Sequence, residues 1–220
     1  DLFFRRISIK LRENCVVGIP RHPISCSVAT TNLADRVIAA VQVGIAEIAE
    51  GFGMAEAGTI MPPAMGVISG LDPRNGYTPF VNQLFLGITG GAGTPKSDGY
   101  LTMIHSGNGG LCLQDSIEVD ELQFPIHIYK RYVLTDTEGA GKFRGSPSAY
   151  CEFGPTGNCE LNVIYTSDGS VNAPNGTRRG QKGALSIALK KNKNNKKIKL
   201  PNCHELKLKK GETVISYSAG

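Results

Sequence analysis

Apolar and polar positions change their spacing several times along this chain, and each change marks an element. From Phe4 to Leu11 they alternate, with Ile7, Ile9 and Leu11 on one face and Arg6, Ser8 and Lys10 on the other. That spacing predicts a half-buried strand. An irregular stretch with prolines on both sides of His22 follows. It ends in a helix start signal, with Thr31 or Asn32 as cap and Asp35 in the first turn. Between Leu33 and Glu50 the apolar residues Val37, Ala40, Val41, Ile45 and Ile48 recur at helical spacing, until Gly51 and Gly53 end the pattern. One long amphipathic helix near the N-terminus is predicted.

Strand signals dominate the remainder. The segment Met61–Gly70 reads as a short apolar strand, and Val81–Ile88 as its return, with Asn75-Gly76 between them as a hairpin signal. Tyr100–His105 is a further candidate, and Ser116–Leu122 fits either a helical turn or a bulged strand. Phe124–Thr135 alternates, with Ile126, Ile128, Tyr132 and Leu134 on one parity and His127, Tyr129, Arg131 and Val133 on the other. Pro125 suits a first residue or an edge strand. Strands are also predicted at Ser148–Phe153, Glu160–Thr166, Ala184–Leu189 and Lys196–Leu200, and a hairpin-like pair at His204–Leu208 and Thr213–Tyr217. Lys190–Lys197 reads as an exposed hairpin tip, and Asn175-Gly176 as a turn. The expected fold class is α+β: the helix, then a mostly antiparallel, glycine-punctuated β region.

The stretch Leu84–Pro125 departs from this regularity. Eight glycines fall between Gly87 and Gly110, a density that lets backbone approach a ligand or another chain closely. Within it lie His105 and Asn108, followed by Asp115, Glu118, Asp120 and Glu121. It is not a Walker loop, because Thr94-Pro95 stands where Lys-Ser/Thr would have to follow the last glycine. The pattern equally fits a glycine-rich junction with another chain. His22 and His204 read as structural or exposed, and His127 as a satisfied, partly buried strand residue. His105 ends a strand signal and faces the glycines, which makes it the candidate functional histidine. Cys112 beside the glycines reads as a buried thiol rather than a nucleophile.

Composition narrows the function classes. The net charge of +5 comes mostly from lysines between Lys182 and Lys210, with no aromatic residue interleaved before Tyr217, which argues against nucleic acid as a partner. None of the six cysteines forms a Cys-x-x-Cys pair, so zinc-ribbon spacing is missing. Scattered thiols fit a reducing, cytoplasmic setting. No apolar run approaches the roughly 20 residues that span a bilayer, so no membrane partner is expected. The start at Asp1 suggests a divided chain or part of a longer protein.

Several segments, taken in order, resemble the hydantoinase B/oxoprolinase family. They are SVATTNLADRVIAAV, GFGMAEAG with MPPAMGVISG, FLGITGGAG with DGYLTMIHSGN, and EVDELQFPIHIYKRYVL with DTEGAGKFRG. His105 and Asn108 match the family's His-Met-Thr-Asn-type element, and Glu118 and Glu121 its Glu-Val-x-Glu element. Phe124-Pro125-Ile126 matches its Arg-Tyr-Pro-Val-like strand, and Gly139–Gly145 its Gly-Gly-x-Gly-x-x-Arg-Gly element. The likeness is to the C-terminal part of the B-type subunit, with strand and helix in residues 1–60 and a β-rich region in 61–220.

The resemblance implies a partner chain, a hydantoinase A-like subunit carrying ATP, and an N-terminal part of the B-type subunit as a separate chain or segment. It implies ATP-dependent opening of small cyclic amides such as hydantoins, lactams or 5-oxoproline. Alternatives are an ATP-dependent ketone carboxylase of the acetone or acetophenone type, or a structural and assembly subunit of either complex. A divalent metal such as zinc or manganese belongs elsewhere in the complex, so no metal ligand is carried to this chain. The catalytic candidates are His105 as acid or base, Asn108 as a polar orienter, and Glu118 and Glu121 orienting the histidine.

Overall fold

The computed structural model describes residues 8–15, 17–23, 32–58, 61–87, 90–101 and 113–220. The start of the expected first strand and the end of the Tyr100–His105 strand lie outside them, and neither remainder, from Ser8 to Leu11 or from Tyr100 to Leu101, is strand.

Helix α1 runs over Ala34–Ile48 and is 15 residues long, shorter than the expected span from Leu33 to Glu50. Its burial also corrects the sequence pattern. The inward side is Asp35, Ala39 and Ala46, whereas Val37, Val41, Ile45 and Ile48 are exposed, Ile48 to 85%. Polar contacts hold the helix instead. Arg36 donates to Glu56 Oε1 at 3.1 Å and to the Gly58 carbonyl at 3.2 Å, and its Nε lies 3.2 Å from Asp168 Oδ2. Helical spacing shows which residues share a side but not what covers that side.

Strands β1 (Val67–Asp72) and β2 (Thr78–Gln83) form a hairpin around the expected Asn75-Gly76 turn, but both sit closer to that turn than the expected Met61–Gly70 and Val81–Ile88: Pro63–Met65 is a helical turn, and residues 84–87 are not strand. Gly76 takes φ 59° at its turn. Asp72 clamps the turn by accepting from Arg74 N at 2.9 Å and from Arg74 Nη2 at 2.9 Å, while Arg74 Nη1 reaches the Glu121 carbonyl at 2.9 Å. Helix α2 (Ile117–Gln123) settles the ambiguous segment as helix. Seven further strands follow: β3 (Ile126–Val133), β4 (Ala149–Pro155), β5 (Leu161–Thr166), β6 (Ile187–Lys191), β7 (Lys197–Lys199), β8 (Cys203–Leu208) and β9 (Thr213–Tyr217).

All named pairings are antiparallel, in two sheets ordered β2-β1-β5-β8 and β3-β4-β9-β6-β7. One cluster draws on both, with Ile68, Leu161, Val163 and Leu208 from the first and Ile128, Phe153 and Val214 from the second. The chain changes sheet between β8 and β9. A tight turn joins them, with Glu212 N donating to the Lys209 carbonyl at 2.8 Å and Gly211 at φ 81°. Yet β8 pairs with β5, and β9 with β4 and β6. The hairpin-like signal there is a corner between sheets.

Strand β3 is the edge its proline predicts, and it carries a bulge between Ile128 and Lys130. An extra residue shifts the alternation. Ile128 sits opposite Phe153 on the core side, but Tyr132 sits opposite Tyr150 on the other side and stacks on it at 4.8 Å. The expected common parity of Ile128 and Tyr132 is broken there. On that outer side Glu152 is buried, paired with Lys191 and accepting from Thr213 Oγ1 and Tyr150 Oη, each at 2.9 Å. Burial opposes its charge, but these bonds hold its carboxyl below the ordinary range. The lysine-rich tip between β6 and β7 forms as expected.

Truncating Phe153, fully buried between the sheets, should cost about 3–5 kcal/mol. Chemical denaturation of Phe153→Ala against the parent measures this. A second prediction concerns Asp120, which is 4% exposed and has no hydrogen-bond partner at Oδ2. Burial, reinforced by the Asp115 charge and opposed by Arg131, raises its pKa to about 6. In the unfolded chain an aspartate titrates near ~3.9. Between these values the folded state binds more protons, so stability falls as pH rises from about 4 to about 6, then levels. Asp120→Asn should flatten that slope, read from denaturation midpoints across pH.

Candidate functional site

Of the four residues singled out by motif, His105 and Asn108 lie outside the described residues. Glu118 and Glu121 are on α2. Ser116, at the start of that helix, donates from Oγ to Glu118 Oε2 at 2.7 Å, and this bond lowers the Glu118 pKa. Glu121 points the other way along the chain. Its Oε1 accepts from Ile128 N at 2.7 Å and lies 2.8 Å from His127 Nδ1. His127 is thus satisfied, as expected, but about half exposed, and its ring meets Tyr129 edge-on at 4.7 Å. Both glutamates already hold local polar contacts at the junction of α2 and β3.

The flanks of residues 102–112 are fastened to a single strip of chain. Gly91 N donates to the Tyr100 carbonyl at 2.9 Å. On the other side, Phe85 N donates to Asp115 Oδ2 at 2.6 Å and Asp115 N to the Phe85 carbonyl at 3.1 Å. The described residues on the two sides of 102–112 are therefore anchored on Gly91 and on Phe85. Gly139–Gly145 is stitched to the same region, through Ser146 N on the Gly91 carbonyl at 2.9 Å and Gly99 N on the Arg144 carbonyl at 2.9 Å. Arg144 also donates from its backbone N to Asp98 Oδ1 at 2.7 Å and from Nη2 to Asp98 Oδ2 at 3.1 Å. These bonds lower the Asp98 pKa.

A cleft of about 440 Å³ opens where these loops meet the end of α1. Its walls are residues 50–56, part of 91–95, 139–145 and a loop over 174–183, with Gly220 at the base. Eleven of its described lining residues are glycine. Two of them are required by the chain crossing. Gly53 takes φ 69° against the backbone of Gln42 and Ala46, and a Cβ on Gly183 would collide with the Gly220 carbonyl. Neither Glu118 nor Glu121 lines the cleft. Sequence reasoning missed the 174–183 wall, taking Asn175-Gly176 only as a turn. The signal available was the cluster Gly176, Gly180 and Gly183 around Arg178-Arg179.

Among the described residues no three His, Cys, Asp or Glu side chains converge as metal ligands, so these residues do not make a divalent-ion site. Cys151 and Cys159 are buried, Cys15 and Cys203 exposed, and all four are free thiols; Cys26 and Cys112 lie outside the described residues. Burial pushes the Cys151 thiol up to about 12, which keeps it protonated and unreactive. No helix among the described residues is long and apolar enough to cross a membrane.

Comparison with known proteins places this geometry in context. The caprolactamase subunit beta of Pseudomonas jessenii is 33% identical over 89 residues, which are 40% of this chain and 15% of that protein. The crystal structure of the ATP-dependent caprolactamase from the same organism matches with a TM-score of 0.59 at 20% identity, over 74% of this chain and 29% of that one. A nucleotide-free acetone carboxylase structure matches with a TM-score of 0.50 at 13% identity, over 75% of this chain and 25% of that one. The two structural matches bear on the fold alone, and the chain spans less than a third of either relative. The family model described as hydantoinase B/oxoprolinase matches residues 3–220. The chain belongs to the hydantoinase B/oxoprolinase family.

Proposed function

We propose that this chain is part of an ATP-dependent hydrolase of small cyclic amides, acting with a hydantoinase A-like subunit that binds ATP. The observation that carries this reading is the 33% identity to the caprolactamase subunit beta, together with membership of the family over residues 3–220. ATP would be spent on the partner subunit, since no Walker element is present here. A divalent metal, zinc or manganese, would belong to the remainder of the B-type subunit, as a separate chain or segment.

Within this chain His105 moves a proton at the amide as acid or base, and Asn108 orients the substrate carbonyl. Glu118 and Glu121 shape that end of the loop from α2. What supports these positions is that the described flanks are pinned at Gly91 and Phe85, and that the glutamates follow on the helix that begins at Ile117, two residues after Asp115. A glycine-rich backbone at that place can also offer N–H groups to a developing oxyanion.

A second reading, an assembly subunit without chemistry of its own, is favoured by one observation: α1 leaves Val41 and Ile48 in solvent. A third, an ATP-dependent ketone carboxylase, is separated by substrate: it turns over a ketone with bicarbonate and leaves lactams intact.

The reconstituted complex tests these readings. With His105→Ala, ATP-dependent lactam opening should fall about 10²–10⁴-fold while the complex still assembles by size-exclusion chromatography. Unchanged turnover removes His105 from the chemistry and supports the assembly role. Glu121→Gln should act more weakly, since Ile128 N and His127 keep a neutral acceptor.

A further inference from the structure

We propose that the glycine-lined cleft at the end of α1 is a binding site for a small ligand bearing a carboxylate or phosphate group, distinct from the residues assigned catalytic roles above. Its volume of about 440 Å³ falls in the ~300–1,000 Å³ range of small-molecule sites. Glycine keeps much of the wall free of side chains, and the N–H groups of Gly91, Gly145, Gly180, Gly183 and Gly220 already donate within the chain, so the cationic side chains on the wall are what would select an anion.

The charged lining sets the sign. Lys142, Arg178 and Arg179 line the cleft together with Glu50 and Glu56. Glu56 is already committed: its Oε1 accepts from Arg36 at 3.1 Å, and its Oε2 from Asn175 N and Nδ2 at 3.0 and 2.9 Å. Arg178 is committed as well. Its Nε donates to the Ala46 carbonyl at 2.6 Å, in the last turn of α1, where the helix dipole favours a cation. Among the described residues, Lys142 and Arg179 have no carboxylate partner; Lys142 lies only 5.7 Å from the Phe143 ring centre. Two cations on the cleft wall thus make no ion pair, and Glu50 is the one carboxylate of the lining with which none is formed, which leaves the wall with a net positive charge.

The backbone of this wall is also held in an uncommon shape. Arg178 and Arg179 take φ of 49° and 71°, values that non-glycine residues adopt at a cost and that cluster at ligand clamps. The bond from Arg178 N to Glu47 Oε1 at 2.7 Å, with the Ala46 contact, locks the pair in place. That lock presents Arg179 to the cleft without a rearrangement on binding.

The test titrates the full chain by NMR at low ionic strength with inorganic phosphate, with glutarate, and with δ-valerolactam as an uncharged control. Saturable binding of phosphate or glutarate, but not of the lactam, is expected. Phosphate alone marks a phosphoryl ligand, and glutarate alone a carboxylate. The double variant Lys142→Gln with Arg179→Gln, both at exposed positions, should weaken that binding about tenfold with an unchanged circular dichroism spectrum. Absence of saturable anion binding overturns the proposal, as does equal binding of the lactam or binding unaltered in the double variant. His105→Ala leaves this binding intact, so failure here and failure of the catalytic reading are distinguishable.

Discussion

The apolar cluster shared by two antiparallel sheets is what every other feature of the chain leans on. Leu161, Val163 and Leu208 from one sheet meet Phe153 and Val214 from the other, and their burial is the main favourable term in folding. The pairing is possible because the chain turns a corner between β8 and β9, which places consecutive strands in different sheets. The buried turn Pro63–Met65 adds to this, with Leu86 N bonded to the Ala64 carbonyl at 3.0 Å. The glycine-rich strip that follows Leu86 is thereby fixed at its root.

From that root the loops are built by backbone contacts more than by side-chain packing. Gly91 receives Ser146 and meets Tyr100, Gly183 crosses Gly220, and Gly53 lies against α1. Peptides can cross at such distances only where no Cβ intervenes. The glycine density is therefore an architectural requirement first. The cleft is the space that these crossings leave between them, and its cationic wall is positioned by α1 through Ala46 and Glu47.

The outer surfaces carry a different message. α1 turns its apolar stripe outward while its inward side is alanine and aspartate, and Phe52 just beyond it is 66% exposed. Exposed apolar patches of this kind accompany protein contacts. The chain also spans less than a third of the caprolactamase and acetone carboxylase chains that share its fold.

Local pattern in the sequence determined a good deal. Alternation located β3 to β9 within a few residues, Asn75-Gly76 gave the first hairpin, Pro125 marked an edge strand, and motif order gave the family. These are properties of neighbouring residues, where spacing and φ preference act directly. Tertiary structure decided the rest. It turned the stripe of Val37, Val41 and Ile48 to solvent, because periodicity is silent on which side meets a neighbour. It moved Tyr132 to the far side of β3 through a bulge, because one extra residue inverts the alternation. It made the β8–β9 turn a corner, because partner strands farther away in sequence, β5 for β8 and β4 and β6 for β9, outcompete the local pairing. The cleft was illegible for the same reason: its walls lie at residues 50–56, 91–95, 139–145 and 174–183, and only folding brings them together.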